Sequence, residues 1–335
     1  MDIRSLRYSI FGGVRKNLHL PYYIHGYAMM SLPRFFTERR RESLLREFDS
    51  LPSQQQDYVM HRVDYYNRLS SPVSLPSTAP CIGEQSFLHK QYGSVYLFDS
   101  YEWTRYFPCH LHWLLMPGDV IQTFSHPTVA KSRPIGDANT NGNSVLLNMD
   151  KVRHFVFFRD PVPFDSKHNQ VIFRGAVMNK PARMAFLEQY FGRPLFDLRD
   201  TSRHSTYPPE MRQSKETTIY DHLSYKYIMC LEGNDVASNL KWVMHSNSLA
   251  VAPAMRYETW FMEGTLRGNE HFIEIKPDYS DIEERLSYYN DHPLEARDIV
   301  ENAHRHCRQF LTPKIERLCS LMVMEKYFRM TDQQF

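Results

Sequence analysis

The chain has 335 residues, with 40 Lys and Arg against 38 Asp and Glu, a formal charge of +2 and 42% hydrophobic residues. This length and composition allow one large domain or two ordinary ones with a sizeable core, and exclude wholesale disorder. The near balance of charge argues against a dedicated nucleic-acid binder, and no run approaches the roughly 18 consecutive apolar residues of a membrane span.

The first residues, MDIRSLRYSIFGGVRKN, lack the continuous apolar segment and cleavage site of a signal peptide, so none is expected. Helical periodicity governs the first 70 residues. TERRRESLLREF (37–48) sets Leu44, Leu45 and Phe48 against a charged face, and QDYVMHRVDYYNRL (56–69) follows a Leu-Pro-Ser break. SSPVSLPSTAP (70–80) is a proline- and serine-rich connector. Short strands are expected at 94–98, 111–115 and 120–124, and GDANTNGN (136–143) reads as a loop. The five cysteines, Cys81, Cys109, Cys230, Cys307 and Cys319, show neither zinc-type pairing nor a disulfide framework, which suits a reducing cytoplasm.

From residue 168 strands and helices alternate. A strand is expected at 171–173 and a helix at 181–190, with Pro181 in its first turn. Then YIMCL (227–231), the polar turn Gly233-Asn234-Asp235, and Val236, Leu240, Val243 and Met244 at helical spacing lead into a strand at 249–252. With Asn234 or Asp235 as N-cap this is a βαβ unit whose turn presents free N–H groups to an anion, or else simply a capped connection. A strand at 271–275 and helices near 279–290, 292–310 and 314–328 close the chain. Such alternation implies a parallel sheet covered on both faces. Two α/β domains are expected: 1–165 with a helical N-terminal segment, 166–310, and a final helix, 311–335, packing back on the first domain.

VIFRG (171–175), SYKYIMCLEGNDVASNLKW (224–242), SNSLAVAP (246–253), YETWFMEG (257–264) and HFIEI (271–275) follow one another in an order and spacing that resemble glycosyltransferase family 90. Upstream, HRVDYYNRL (61–69), KSRPI (131–135) and KVRHF (151–155) resemble its bacterial lipopolysaccharide branch; the family also includes capsule xylosyltransferases and protein O-glucosyltransferases. The resemblance implies a GT-B fold, two Rossmann-like domains facing a cleft, with a UDP-sugar held mainly by the C-terminal one. It also implies an inverting, metal-independent transfer with no cofactor, onto lipopolysaccharide or a capsular glycan. The sequence contains no Asp-x-Asp, the metal-diphosphate signature of the other glycosyltransferase fold. A cytoplasmic enzyme with peripheral contact at the inner membrane is expected. The alternatives are an inactive carbohydrate- or nucleotide-sugar-binding protein of this fold, and a nucleotide-sugar epimerase, which would want an N-terminal GxGxxG that is missing.

By this resemblance Gly233, Asn234, Asp235 and the following helix form part of the donor diphosphate site, with Ser238 as a hydroxyl donor. Asn239 stands where eukaryotic members carry arginine, and Lys241 matches a lysine of those members; it is either a phosphate ligand or a solvated helix lysine. Arg174 and Gly175 close a strand at the end that faces the ligand crevice, where Arg174 either binds phosphate or pairs with a carboxylate. Arg183 is a further candidate of the same kind. Glu258 is favoured over Glu263 as the carboxylate that holds the ribose. Lys131, Arg133, Arg153 and His154 make a basic cluster for phosphate or acceptor, or a solvated face. Trp242 and Trp260 are assigned to the core. His110, His112, His304 and His306 lack partners at metal-ligand spacing, so no metal site is expected. Asp119, in a turn after an apolar strand, is the expected catalytic base, with Asp137 and Asp150 as runners-up; a turn aspartate that caps its own backbone is the competing reading.

Overall fold

The structure is a computed structural model that describes residues 20–84, 93–214 and 217–335. The helical reading of residues 1–19 lies outside them. Contacts divide the described residues into two units. One comprises Arg153–Arg256 and Thr265–Gln309, and the other comprises residues 20–152 with Tyr257–Gly264 and Phe310–Phe335. We call them the C-terminal and N-terminal units.

Ten strands are described: β1 Leu115–Met116, β2 Thr128–Ala130, β3 Ser132–Pro134, β4 Ser144–Leu146, β5 His168–Gly175, β6 Phe196–Asp200, β7 Tyr225–Met229, β8 Leu249–Pro253, β9 Tyr257–Thr259 and β10 Ile273–Ile275. The C-terminal unit contains a five-stranded sheet of order β10-β8-β7-β5-β6, parallel throughout. Val171, Ile172 and Phe173 of β5 are all buried, as a central strand covered on both faces requires. Phe186, Leu187 and Tyr190 of the Pro181–Tyr190 helix and Ile282, Leu286, Ile299 and Val300 of the last two helices of the unit complete its core. In chain order the strands run second, first, third, fourth, fifth. The winding therefore reverses between β5 and β7, and ligands in such sheets bind outside the carboxyl ends at that point.

The N-terminal unit combines helices with a small parallel sheet, β1-β2-β4, and an antiparallel pair, β3-β9. The Ser53–Tyr66 and Pro313–Met330 helices pack together, the latter burying residues on most of its circumference, among them Leu318, Leu321, Met324 and Phe328. Four expectations for this unit are corrected. Residues 94–104 form a helix, Ser94–Thr104, with Tyr96, Leu97, Phe98, Ser100, Trp103 and Thr104 buried; its apolar face is too broad for a helical period to stand out. The strand expected at 111–115 is only Leu115–Met116, and 120–124 contains none. The loop at 136–143 holds a one-turn helix, Ala138–Asn141, because the Asp137 carboxylate accepts from Thr140 N at 3.0 Å and closes a capping box.

Asp99 ties this unit together from inside. It is buried, accepts from the Tyr22 hydroxyl at 2.9 Å and from Lys151 N at 3.0 Å, and faces the Lys151 ammonium at 3.5 Å. Burial pushes its carboxyl up to about 6, against the opposing pull of Lys151. The folded protein therefore holds this proton more tightly than the unfolded chain, in which an aspartate titrates near ~3.9. Stability from this group is lost as pH rises through that window. Urea denaturation at pH 7 and pH 5 should show the parent gaining stability relative to Asp99→Asn as pH falls; a gap that stays constant or moves the other way would refute this.

Candidate functional site

At the switch point of the large sheet, one guanidinium joins two loops. Arg183, in the first turn of the Pro181–Tyr190 helix, donates from Nη1 to Ala176 O at 3.0 Å, from Nη2 to Leu231 O at 2.7 Å and from Nε to Glu232 O at 3.0 Å. The first carbonyl follows β5 and the other two follow β7. Two glycines lie beside it. A Cβ at Gly233 would stand 3.1 Å from Arg183 Nη2, and one at Gly175 would stand 2.8 Å from the Phe173 ring and 3.4 Å from Arg183 Nη1. Arg183 thus keeps a positive charge beside the crevice while its donors hold the loops.

The loop after β5 is fixed from its other side by buried Asp200, which ends β6. Its Oδ1 accepts from Val177 N at 3.0 Å, Ser202 N at 2.8 Å and Ser202 Oγ at 2.6 Å. Burial raises this carboxyl, but the Ser202 and Ser205 hydroxyls with the Ser202 and Val177 amides outweigh it and hold it below the usual carboxylate range. A polar hollow of about 550 Å³ opens here, lined by Asp200, Ser202, Ser205, Arg203, Arg212 and Gln213 among others.

The expected helix after Gly233 is displaced. Residues 233–239 form bends and a turn, with Gly233 N bonded to Asp235 O at 3.1 Å, and the helix is only Leu240–Met244. Neither Asn234 nor Asp235 caps it. Asp235 is buried, Ser238 is half-buried, and Asn239 donates to Met229 O at 3.0 Å. Lys241 is wholly buried, with its ammonium 5.9 Å from the centre of the Phe155 ring, so it is not a solvated lysine. The helix N-terminus at the switch point is that of Pro181–Tyr190, and it brings Lys180, which the sequence reading missed. Lys180 Cε lies 3.8 Å from a Cβ built at Gly233, and its ammonium has no carboxylate partner among the described residues. The Lys-Pro step, placing a cation just before a proline-started helix, was the available signal.

Arg174 is a structural arginine. It bonds Asp197 Oδ2 and Asp197 O, each at 2.7 Å, and so ties β5 to β6 across the sheet. Glu258 and Arg133 belong to the N-terminal unit and face each other across the β9-β3 pair, their side chains fully buried and 2.7 Å apart. Glu258 is also bonded by the Tyr65 hydroxyl and by Arg68 at 3.2 Å, while Arg133 donates to Tyr65 O at 2.6 Å and Ser144 O at 2.8 Å. Glu258, expected to hold the ribose, is thus fully buried and paired on β9, which lies outside the large sheet. Arg133, expected at phosphate or acceptor, is its partner. Glu263 is likewise buried and accepts from Thr259 N at 2.6 Å.

The carboxyl edge of the small parallel sheet gathers three residues of the N-terminal unit. Asp119 follows β1 after Gly118, which adopts φ +92; Lys131 follows β2; Asp150, at φ +56, comes after β4. Asp119 and the buried Lys131 pair at 2.5 Å, and the Asp119 side chain stays 24% exposed. Asp150 is buried, and Asp137 is engaged by its own helix cap. Arg153 is exposed and His154 buried, so they form no common basic face.

The sequence profile of Glycosyl transferase family 90 matches residues 148–331. The chain is 37% identical over 315 residues to the O-glucosyltransferase LpsA of Dichelobacter nodosus, which covers 94% of this chain and 96% of that protein. Over 119 residues, 35% of this chain, it is 26% identical to Protein O-glucosyltransferase 3 of Rattus norvegicus, covering 23% of that protein. The Homo sapiens protein of the same name is 25% identical over 119 residues.

Removing one partner of a buried ion pair leaves the other charge unpaired in a poor solvent. Glu258→Ala should therefore destabilise the fold by about 3–5 kcal/mol in urea titration. A loss below about 1 kcal/mol would return Glu258 to the list of ligand-binding groups.

Proposed function

The chain belongs to glycosyl transferase family 90, and we propose that it moves a hexose from a UDP-sugar to a lipopolysaccharide or related bacterial glycan, inverting the anomeric carbon. The observation that carries this reading is the match along nearly the whole chain to an O-glucosyltransferase. Glucose is accordingly the first sugar to test. Two α/β units that each carry a parallel sheet suit the GT-B plan. The absence of Asp-x-Asp supports transfer without a metal. We assign the enzyme to the cytoplasm.

We assign the donor diphosphate to the switch point between β5 and β7. First-turn amides of the Pro181–Tyr190 helix, the Lys180 ammonium and the charge of Arg183 supply a positive field there, with Ser238 on the facing loop. In the transfer, the acceptor oxygen forms a bond to the anomeric carbon as the bond to the β-phosphate oxygen breaks. UDP leaves with that electron pair, and the field at the switch point stabilises its added charge. The proton of the acceptor hydroxyl passes to Asp119, the partly exposed carboxylate at the carboxyl edge of the small sheet.

UDP, and not GDP or AMP, should raise the thermal midpoint, and chelator should leave the shift unchanged. A manganese requirement for this shift would overturn the metal-free assignment. Lys180→Ala should weaken UDP binding by roughly tenfold or more, the worth of one charged phosphate contact. A folded variant that binds like the parent would move the diphosphate elsewhere. Asp119→Asn should keep UDP affinity and lower turnover by ~10²–10⁴-fold; near-parental turnover would transfer the base to Asp150.

A further inference from the structure

The segment LPYYIHGYAMMS forms the helix Leu20–Ser31 and contains no Asp, Glu, Lys or Arg. A helix apolar on all sides belongs in a core or in contact with lipid. Only one face of this one is covered. Tyr22 and Tyr23 set their rings 6.1 and 6.2 Å from Phe98, the Tyr22 hydroxyl reaches Asp99 at 2.9 Å, and Gly26 lies so close to Phe98 that a Cβ would stand 2.4 Å from the ring. Away from that contact Leu20 and Ile24 are 66% and 59% exposed, and Tyr27, whose ring meets Phe98 edge-on at 4.9 Å, is still 55% exposed. Leu32, Phe35 and Phe36 extend the exposure through the next short helix. Seven of the thirteen exposed large hydrophobic side chains among the described residues fall between Leu20 and Phe36, so this is a patch and not the scatter of an ordinary surface.

Charge selects the occupant. From Leu20 to Glu42 four arginines stand against two acidic residues, Glu42 and Glu38, the latter engaged by Arg34 at 3.7 Å. Arg39 lies over the Phe35 ring at 3.7 Å, at the rim of the apolar patch, and Arg40 beside it is exposed. A protein partner's interface has a charge-poor core and a rim of both signs. An apolar face edged by arginine and interfacial aromatics matches an anionic lipid surface instead. Twelve residues make about 18 Å of helix, too short to span a bilayer but suited to lying in its interface.

We propose that Leu20–Phe36 is a membrane-docking surface: the outer face of the Leu20–Ser31 helix with Leu32, Phe35 and Phe36 enters the headgroup boundary of an anionic bilayer while Arg39 and Arg40 meet lipid phosphates. The surface gives the location a physical basis and is independent of the sugar-transfer reading, since vesicle binding needs no donor. In flotation assays the full chain should rise with vesicles of phosphatidylethanolamine and phosphatidylglycerol, more weakly with phosphatidylcholine alone or at high salt. Ile24→Glu/Phe36→Glu and Arg39→Glu/Arg40→Glu should each reduce partitioning roughly tenfold or more while keeping the parent's urea midpoint, since all four side chains are at the surface. A parent that stays unbound, or an Ile24→Glu/Phe36→Glu variant that floats like it, overturns the proposal. So does a dimer in vesicle-free solution that this variant dissociates, because the patch would then join two copies.

Discussion

The Arg183 guanidinium is the constraint on which the candidate site depends. Three carbonyl oxygens from two loops need donors, and one planar fork of N–H groups satisfies them across the point where the sheet reverses its winding. The loops after β5 and β7 are thereby held at a fixed separation. Gly233 is small because a Cβ there would press on the fork, and Gly175 because one there would meet the Phe173 ring. Asp200 secures the first loop from behind, through Val177 and Ser202. The rim so held has a helix N-terminus and Lys180 beside it, the preorganised arrangement that the proposed diphosphate site calls for.

The N-terminal unit solves a different problem by similar means. Its chain returns twice, as Tyr257–Gly264 and Phe310–Phe335, and both returns are fastened by buried charge. Arg133 and Glu258 join β3 to β9, and Arg62 pairs with Glu316 at 2.5 Å while Trp260 Nε1 donates to the same carboxylate at 2.7 Å. Tyr66 completes the second knot, stacked on Trp260 at 3.7 Å and donating to its carbonyl at 2.8 Å. Such pairs add little net stability over apolar packing, but breaking one is costly, so they fix which segments meet.

What the sequence made legible follows from how local each signal is. Apolar runs bounded by turn residues placed β5, β7 and β8, and the proline at its start placed the Pro181–Tyr190 helix. Ser94–Thr104 was misread because a helix buried on most sides loses its period. The helix after Gly233 was extended backwards because Val236 shares its spacing, although Val236 is buried from within a loop. Glu258 was misplaced for a non-local reason. It follows β8 by five residues in sequence, but β9 pairs with β3, some 125 positions away, and only the folded chain shows it. Arginines proved the least legible of the candidates: Arg133, Arg174 and Arg183 each bond to acceptors of the protein itself, whereas Lys180, unremarked in the sequence, lies beside Gly233.

The central claim is that the nucleotide diphosphate is taken at the switch point of the large sheet. Amide hydrogen exchange with and without UDP tests it most directly, because bound phosphate protects the amides it touches. The account predicts slowed exchange concentrated in residues 176–183 and 231–239, with little change elsewhere in the same unit. Protection that leaves both segments untouched, and appears around other loops instead, would contradict it.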